Sequence, residues 1–250
     1  MLSTKSIFRE IRQNRDAFKL LLSIAAKGET QGGWENERIA ALTRDPVAAR
    51  KVLRHGADET KHGLMFAKLL HKARLDTVAV PMAADYCMLL EQRGIGLPHT
   101  RLKQEEPLDK EEFLKYLVHS KVTEERASEE VNLMLKVFQD DPDLAPTLGA
   151  IADDEINHVS YTHEELLKLC AQGEQDKINR LLKDYAMVEI RVYRQVGQVF
   201  VRNMAQMLGW SRPKQWLLEF GVFATYLIER AFTWRRLVAL RPPVRPNAMG

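Results

Sequence analysis

The pentapeptide Asp-Glu-x-x-His occurs twice in the chain, as Asp58-Glu59-Thr60-Lys61-His62 and as Asp154-Glu155-Ile156-Asn157-His158. Residues three apart on a helix share a face, so each copy aims a carboxylate and an imidazole at one point. Such a pair suits a hard or borderline divalent cation. Two pairs facing each other across a helix bundle make half of a dinuclear metal site. The other half is one further carboxylate from each of two more helices.

A repeat indicates where those carboxylates lie. Glu155 minus Glu59, His158 minus His62 and Asp154 minus Asp58 are all 96. The same offset carries Asp45-Pro46 onto Asp141-Pro142, a turn residue followed by the proline that a helix tolerates in its first turn. Applied to Glu29 it lands on Glu125, and each of these stands 30 residues before the Glu of its own motif. Neighbouring Glu124 would map onto Gly28 and breaks the repeat. Glu125 is therefore the expected ligand and Glu124 the alternative.

Four carboxylates and two imidazoles carry a charge of −4 against +4 for two divalent ions. That balance lets the site exist in a low-dielectric core, where unpaired carboxylates are prohibitive. Oxygen and imidazole donors suit Fe(II) and Mn(II), whereas zinc competes on affinity but brings no redox chemistry. With so few protein groups per ion, each keeps an open position for dioxygen or peroxide.

The elements that must position these residues read as helices almost throughout. Few runs alternate with period two, and glycine or proline marks boundaries. Helices are predicted over residues 15–43, carrying Glu29; 46–74, carrying Glu59 and His62; 79–93; 108–139, carrying Glu125; 142–171, carrying Glu155 and His158; 174–208; and 212–240. Gly173 is expected to stop the fifth of these, and residues 94–107 to form a loop. The tail Arg241-Pro-Pro-Val-Arg-Pro reads as extended. Four ligand helices in two antiparallel pairs, joined by the long segment 75–107, form an all-α four-helix bundle with one crossover connection. The expected organisation is one domain over 1–250, with a di-metal bundle at 15–172 and a helical extension at 174–240.

This pattern resembles the ferritin-like di-iron carboxylate superfamily. The first half is similar to rubrerythrin, through Gly28-Glu29-Thr30-Gln31 and the first Glu-x-x-His. The likeness spans Glu29 to His163 and leaves out the last 80 or so residues. It implies two bound iron ions, or manganese or a mixed pair. Glu59 and Glu155 would bridge them, His62 and His158 would be terminal ligands, and Glu29 and Glu125 would complete the set. The Asp-Glu-x-x-His form also resembles the motif of di-iron oxygenases and desaturases.

A metal-bound histidine usually donates its second ring N–H to a carboxylate. Asp58 can serve His158, and Asp154 His62, unless both are simply exposed helix residues. Gly32 and Gly33 follow Glu29 in mid-helix, at a cost of about 1 kcal/mol each relative to alanine. They leave room for substrate or oxygen, or for close helix packing. Tyr161, near His158, is a candidate redox or hydrogen-bonding tyrosine as well as an ordinary core residue. His55, His71, His99, His119 and His163 read as surface or capping residues.

Composition sets outer limits. With 250 residues, 45% hydrophobic and 28% charged, the chain has the make-up of a soluble globular protein. A net charge of +3 is too slight to argue for nucleic acid. Cys87 and Cys170, far apart and in no Cys-x-x-Cys spacing, fit a reducing cytoplasm better than a disulfide framework. The polar residues from Met1 to Arg15 predict no secretory signal. No apolar run reaches the about 18 residues that a membrane span needs.

The reading these features favour is an oxygen-activating oxidase or oxygenase acting on a small or lipid-like organic substrate, fed by a separate electron donor. On the last two helices Trp216, Leu217, Phe220, Phe223, Tyr226 and Leu227 recur at helical spacing, as a substrate wall or a homodimer contact. A rubrerythrin-like peroxidase or iron-handling protein is the alternative, although the paired Cys-x-x-Cys relay is absent. A di-iron hydroxylase of modified tRNA is a further one, permitted by Arg202, Arg212, Lys214, Arg235, Arg236, Arg241 and Arg245. A basic, aromatic C-terminal helix also admits a membrane-surface role.

Overall fold

The structure, a computed structural model, describes residues 3–240. The tail that begins at Arg241 lies outside the described residues. Several of the helices start where a side chain caps the first turn, satisfying backbone N–H groups that have no intrahelical acceptor. Helix α1 (Thr4–Gln13) is capped by Ser3 and α2 (Arg15–Leu42) by Asn14, whose Oδ1 accepts from the amides of Asp16 and Ala17. Helix α3 (Pro46–Lys72) has Asp45 as its cap and Pro46 in its first turn. After the crossover come α6 (Lys110–Val137), opened by a capping box of Asp109 and Glu112, and α7 (Leu144–Leu169). Asp141 accepts from the amides of Asp143 and Leu144, so α7 begins two residues later than the Asp-Pro pair suggests.

α2 with α3 and α6 with α7 form the two antiparallel hairpins of the bundle. The crossover holds a 3-10 turn (Met82–Ala84), α4 (Tyr86–Glu91) and α5 (His99–Leu102). The helix expected over 79–93 is therefore shorter: Asp85 caps Met88 and starts α4 only after Pro81. The expected loop at 94–107 contains the single turn of α5.

Two other expectations are corrected. Helix α1, which the sequence reading left out, buries Ile11 against Ala17, Leu20 and Met204. Gly173 breaks the helix as expected: within a π turn (Cys170–Glu174) it takes φ 97°, and α8 (Gln175–Leu208) starts beyond that kink. Gly209, at φ 61°, does end α8, and α9 (Arg212–Ile228) folds back along it. A second π turn (Glu229–Thr233) separates α9 from the short α10 (Arg235–Val238), where a single helix was expected.

Two apolar clusters lie along the bundle with a polar layer between them. On α3, Val52 belongs to one cluster and Phe66 to the other, and His55, Glu59 and His62 lie between. On α7 the order is Ile151, then Glu155 and His158, then Leu166. On α6, Glu124 stands between Val122 and Val131.

The C-terminal helices are pinned to the bundle through Arg126 on α6. Its buried guanidinium donates to Glu189 of α8 at 2.8 and 3.0 Å and to Glu229 of the second π turn at 2.9 and 3.3 Å. Tyr86 of α4 donates to the same Glu189 at 3.1 Å. Removing one partner of a buried ion pair strands the others. Arg126→Ala is therefore expected to destabilise the fold by about 3–5 kcal/mol, measured by denaturant unfolding. A loss below about 1 kcal/mol would mean that this network does not anchor α8 and α9.

Candidate metal centre

α2 and α3 cross closely because glycines meet at the contact. A Cβ on Gly33 would come 3.1 Å from the carbonyl oxygen of Gly56, and one on Gly56 would come 3.0 Å from that of Gly33. Gly33 therefore serves helix packing. Gly32 has a different neighbour: a Cβ there would lie 2.7 Å from Glu59 Oε2, so its bare backbone leaves the space the carboxylate occupies.

Six ligand-type residues converge in the polar layer, with a seventh from α3. Glu29, Glu59, His62 and Glu155 each offer an atom within 4.8 Å of the others'. His55, Glu59, Glu124 and His158 do the same, so Glu59 belongs to both groups. The two halves have matching geometry. His62 turns Nδ1 towards Glu29 (3.1 Å) and Glu155 Oε1 (3.8 Å), and its Nε2 meets Asp154 at 3.0 Å. His158 turns Nδ1 towards Glu59 (3.5 Å), Glu124 (3.6 Å) and Glu155 Oε2 (3.6 Å), and its Nε2 lies 3.7 Å from Asp58. Each aspartate thus stands behind the histidine of the opposite motif, the arrangement that orients a ligating imidazole.

Glu124, not Glu125, enters the cluster. Glu125 points one residue further round α6 and pairs with buried Lys121. The repeat misleads because the two hairpin connections differ, residues 43–45 in one and 138–143 in the other. Counted to the helix ends instead, the match is restored: Leu42 minus Glu29 is 13, and Val137 minus Glu124 is 13.

His55, expected at the surface, is 2% exposed. Its position was legible in the spacing, since His55, Glu59 and His62 run i, i+4, i+7 along one face of α3. His163 is buried as well, on α7. Tyr161 lies behind His55, 2.7 Å from its Nδ1.

The cluster fits a pair of cations. Both oxygens of Glu155, both ring nitrogens of His158, His55 Nε2 and Asp58 Oδ2 are buried without a hydrogen-bond partner. A fold rarely leaves so many buried polar atoms unmatched in one place. The donors are oxygen and imidazole nitrogen, the set suited to iron or manganese.

Titration behaviour reflects the same crowding. Burial, reinforced by Glu59, raises the Glu29 carboxyl to about 7, and burial holds Glu155 well above the ordinary carboxylate range. Burial works against protonated imidazoles, but Glu124 and its neighbours overcome it, bringing His55 to about 9 and His158 to about 11. Burial would also raise Glu124, yet His55 and His158 hold it far below its usual value. Protons therefore do the balancing that cations would do, and metal binding must release them.

A cavity of about 280 Å³ borders the cluster, lined by Glu29, Gly32, Glu59 and Glu124, by the ionisable groups of Lys27, Glu35, Asp85, His119 and Glu130, and over most of the remaining wall by apolar side chains. A second, of about 450 Å³, lies between α8, α9 and the bundle, and shares Ile24, Glu130 and Met134 with the first. The residues expected to wall a pocket on α9 mostly face outward: Trp216, Leu217, Phe220, Phe223 and Leu227 are exposed. The opposite face lines the second cavity, through Leu218, Val222 and Tyr226. Among the C-terminal cations, Arg202 pairs with Glu219, Lys214 with Glu10, and Arg236 with Glu129 and Glu229. Arg212 and Arg235 are exposed, while Arg241 and Arg245 lie outside the described residues. No helix among the described residues is long and apolar enough to cross a membrane.

Comparison with known proteins agrees on the fold. No protein-family model matches the chain, and no curated protein matches it in sequence. Among solved structures it is similar to "Protein 19 with aldehyde deformylating oxidase activity from Synechococcus", with a TM-score of 0.60 and 16% identity over 90% of this chain and 95% of that one. The fold is thus an all-α, ferritin-like helical bundle. Its polar layer carries buried Glu and His groups that could hold a metal pair.

The shifts give a signed prediction for the metal-free protein. Glu29 rises from 4.5 to about 7 on folding, so its contribution is fully present below 4.5 and is lost as pH rises through 7. His55 rises from 6.5 to about 9, so its contribution is lost as pH rises through 9. Metal-free protein should therefore lose thermal stability progressively between about pH 4.5 and about pH 9. Protein loaded with Mn(II), whose charge replaces the protons, should change much less. Parallel unfolding curves across that range would contradict the shifts.

Proposed function

We propose that the protein is a dinuclear non-haem metal enzyme of the oxidase or oxygenase class, with iron as its working metal and a small, apolar or lipid-like organic molecule as substrate. The observation that carries this reading is the convergence of unpartnered Glu and His atoms beside an apolar cavity. The neighbour's oxidase activity is consistent with it. A store of iron has no need of an apolar chamber next to the metals. Such chambers are the usual form of a small-molecule site.

Glu59, common to both groups, would bridge the ions, and so would Glu155, whose two oxygens face His62 and His158 respectively. Glu29 and His62 would complete one position, and Glu124 and His158 the other. Asp154 and Asp58 would hold the two rings in orientation. A redox-active metal pair bound there would supply the electrons and Lewis acidity to reduce dioxygen. Gly32, by lacking a side chain, leaves Glu59 its place at the cavity wall. The substrate's reacting end would lie among Glu29, Glu59 and Glu124, and its apolar part would extend past Ile24 and Met134 towards the second cavity. With only Cys87 and Cys170 in the chain and no Cys-x-x-Cys pair, electrons would come from a separate donor.

The reading is tested by anaerobic loading with Fe(II), an ion count per chain, and then dioxygen uptake with a chemical reductant. About two irons per chain and reductant-dependent uptake are expected. Glu59→Ala and Glu124→Ala should lose both, and Glu125→Ala should retain them. Rapid turnover of hydrogen peroxide without dioxygen uptake would move the protein to the peroxidase class. One iron or none would remove the dinuclear reading altogether.

A further inference from the structure

Glu59–His62 and Glu155–His158 are related by the 96-residue offset, but His55 is not part of that symmetry. Its equivalent, 55 plus 96, is Ile151, a buried residue of the apolar core. A second imidazole therefore enters one half of the cluster and not the other.

Its orientation is dictated by a chain of hydroxyls. Tyr116 donates to Asn36 Oδ1 at 2.7 Å, which uses its one proton. The 2.6 Å contact between Tyr116 and Tyr161 must then be donated by Tyr161, which uses that proton too. Tyr161 Oη can only accept at its 2.7 Å contact with His55, so His55 Nδ1 carries a hydrogen. In the neutral ring the lone pair is therefore on Nε2. That atom is buried and has no hydrogen-bond partner, and it lies 3.3 Å from both Glu59 Oε1 and Glu124 Oε1. All three links of the relay are buried.

We propose that His55 is a third imidazole ligand, binding through Nε2 to the metal position formed by Glu59, Glu124 and His158, and that Tyr161, backed by Tyr116 and Asn36, fixes its tautomer. This rests on the dinuclear reading above. It makes the two positions inequivalent: one has His62 as its only imidazole, the other has His55 and His158. The ion at the second position is held by more nitrogen and binds with a different affinity. Tyr161 is a positioning residue, acting on the metal only through the ring it orients.

Anaerobic titration with Co(II), followed by calorimetry and by visible absorption, tests this without turnover. The native protein should bind two Co(II) ions in two resolved steps. His55→Ala should keep one step unchanged and weaken the other. Tyr161→Phe, which removes a single oxygen, should weaken that same step by about 10–100-fold, the range for losing a partner that orients a ligand. Two ions bound by His55→Ala at native affinities would overturn the inference and leave the dinuclear site intact. Failure of the native protein to bind two would instead count against the dinuclear reading. Should His55→Ala not fold, Tyr161→Phe decides: native affinity at both steps would overturn the proposal.

Discussion

Like charge in a dry layer is the constraint on which the rest of the molecule depends. Glu59, Glu124 and Glu155 are buried side by side, with Glu29 at their edge. Each carboxylate taken out of water costs several kcal/mol unless an opposite charge compensates. Without cations the cluster meets this by protonation, on the imidazoles and on Glu29 and Glu155. Two divalent ions would meet it better, and would take up the unpartnered oxygens of Glu155 and Nδ1 of His158.

The remainder of the bundle can be understood as the support for that layer. Apolar clusters above and below keep water out and fix the four helices in register. The Gly33–Gly56 contact brings α2 and α3 close enough for Glu29 to reach His62. Asp58 and Asp154 cross between the two motifs and tie α3 to α7. Arg126, two residues beyond Glu124, extends the same logic outwards: it pairs with Glu189 and, together with Arg236, with Glu229, and so fastens α8 and the turn after α9. α9 can then close the second cavity with one face while its aromatic face remains exposed.

Much of this was legible in the sequence because helical periodicity is local. The Glu-x-x-His spacing and its 96-residue repeat indicated α3 and α7 and the face each presents. Gly28-Glu29 indicated α2. The third carboxylate was not legible by offset, because the count ran across two turns of different length, and turn length is not encoded in a helix period. Anchored on the end of α6, the count selects Glu124. His55 was missed for a related reason. The repeat served as a filter, and a residue that breaks pseudo-symmetry is invisible to it, although i, i+4, i+7 spacing on α3 was available. Helix α1 has a local signal in its Ser3–Ser6 capping box, whereas the π turn at Glu229 depends on the Arg126 network, which no local pattern specifies.

The most direct test is a crystal structure of the metal-loaded protein with anomalous diffraction recorded at the absorption edge of the bound metal. Two anomalous peaks about 3.5–4 Å apart are predicted, flanked by Glu59 and Glu155, with Glu124 rather than Glu125 at the second. A single peak, or peaks displaced from the layer formed by α2, α3, α6 and α7, would contradict the account.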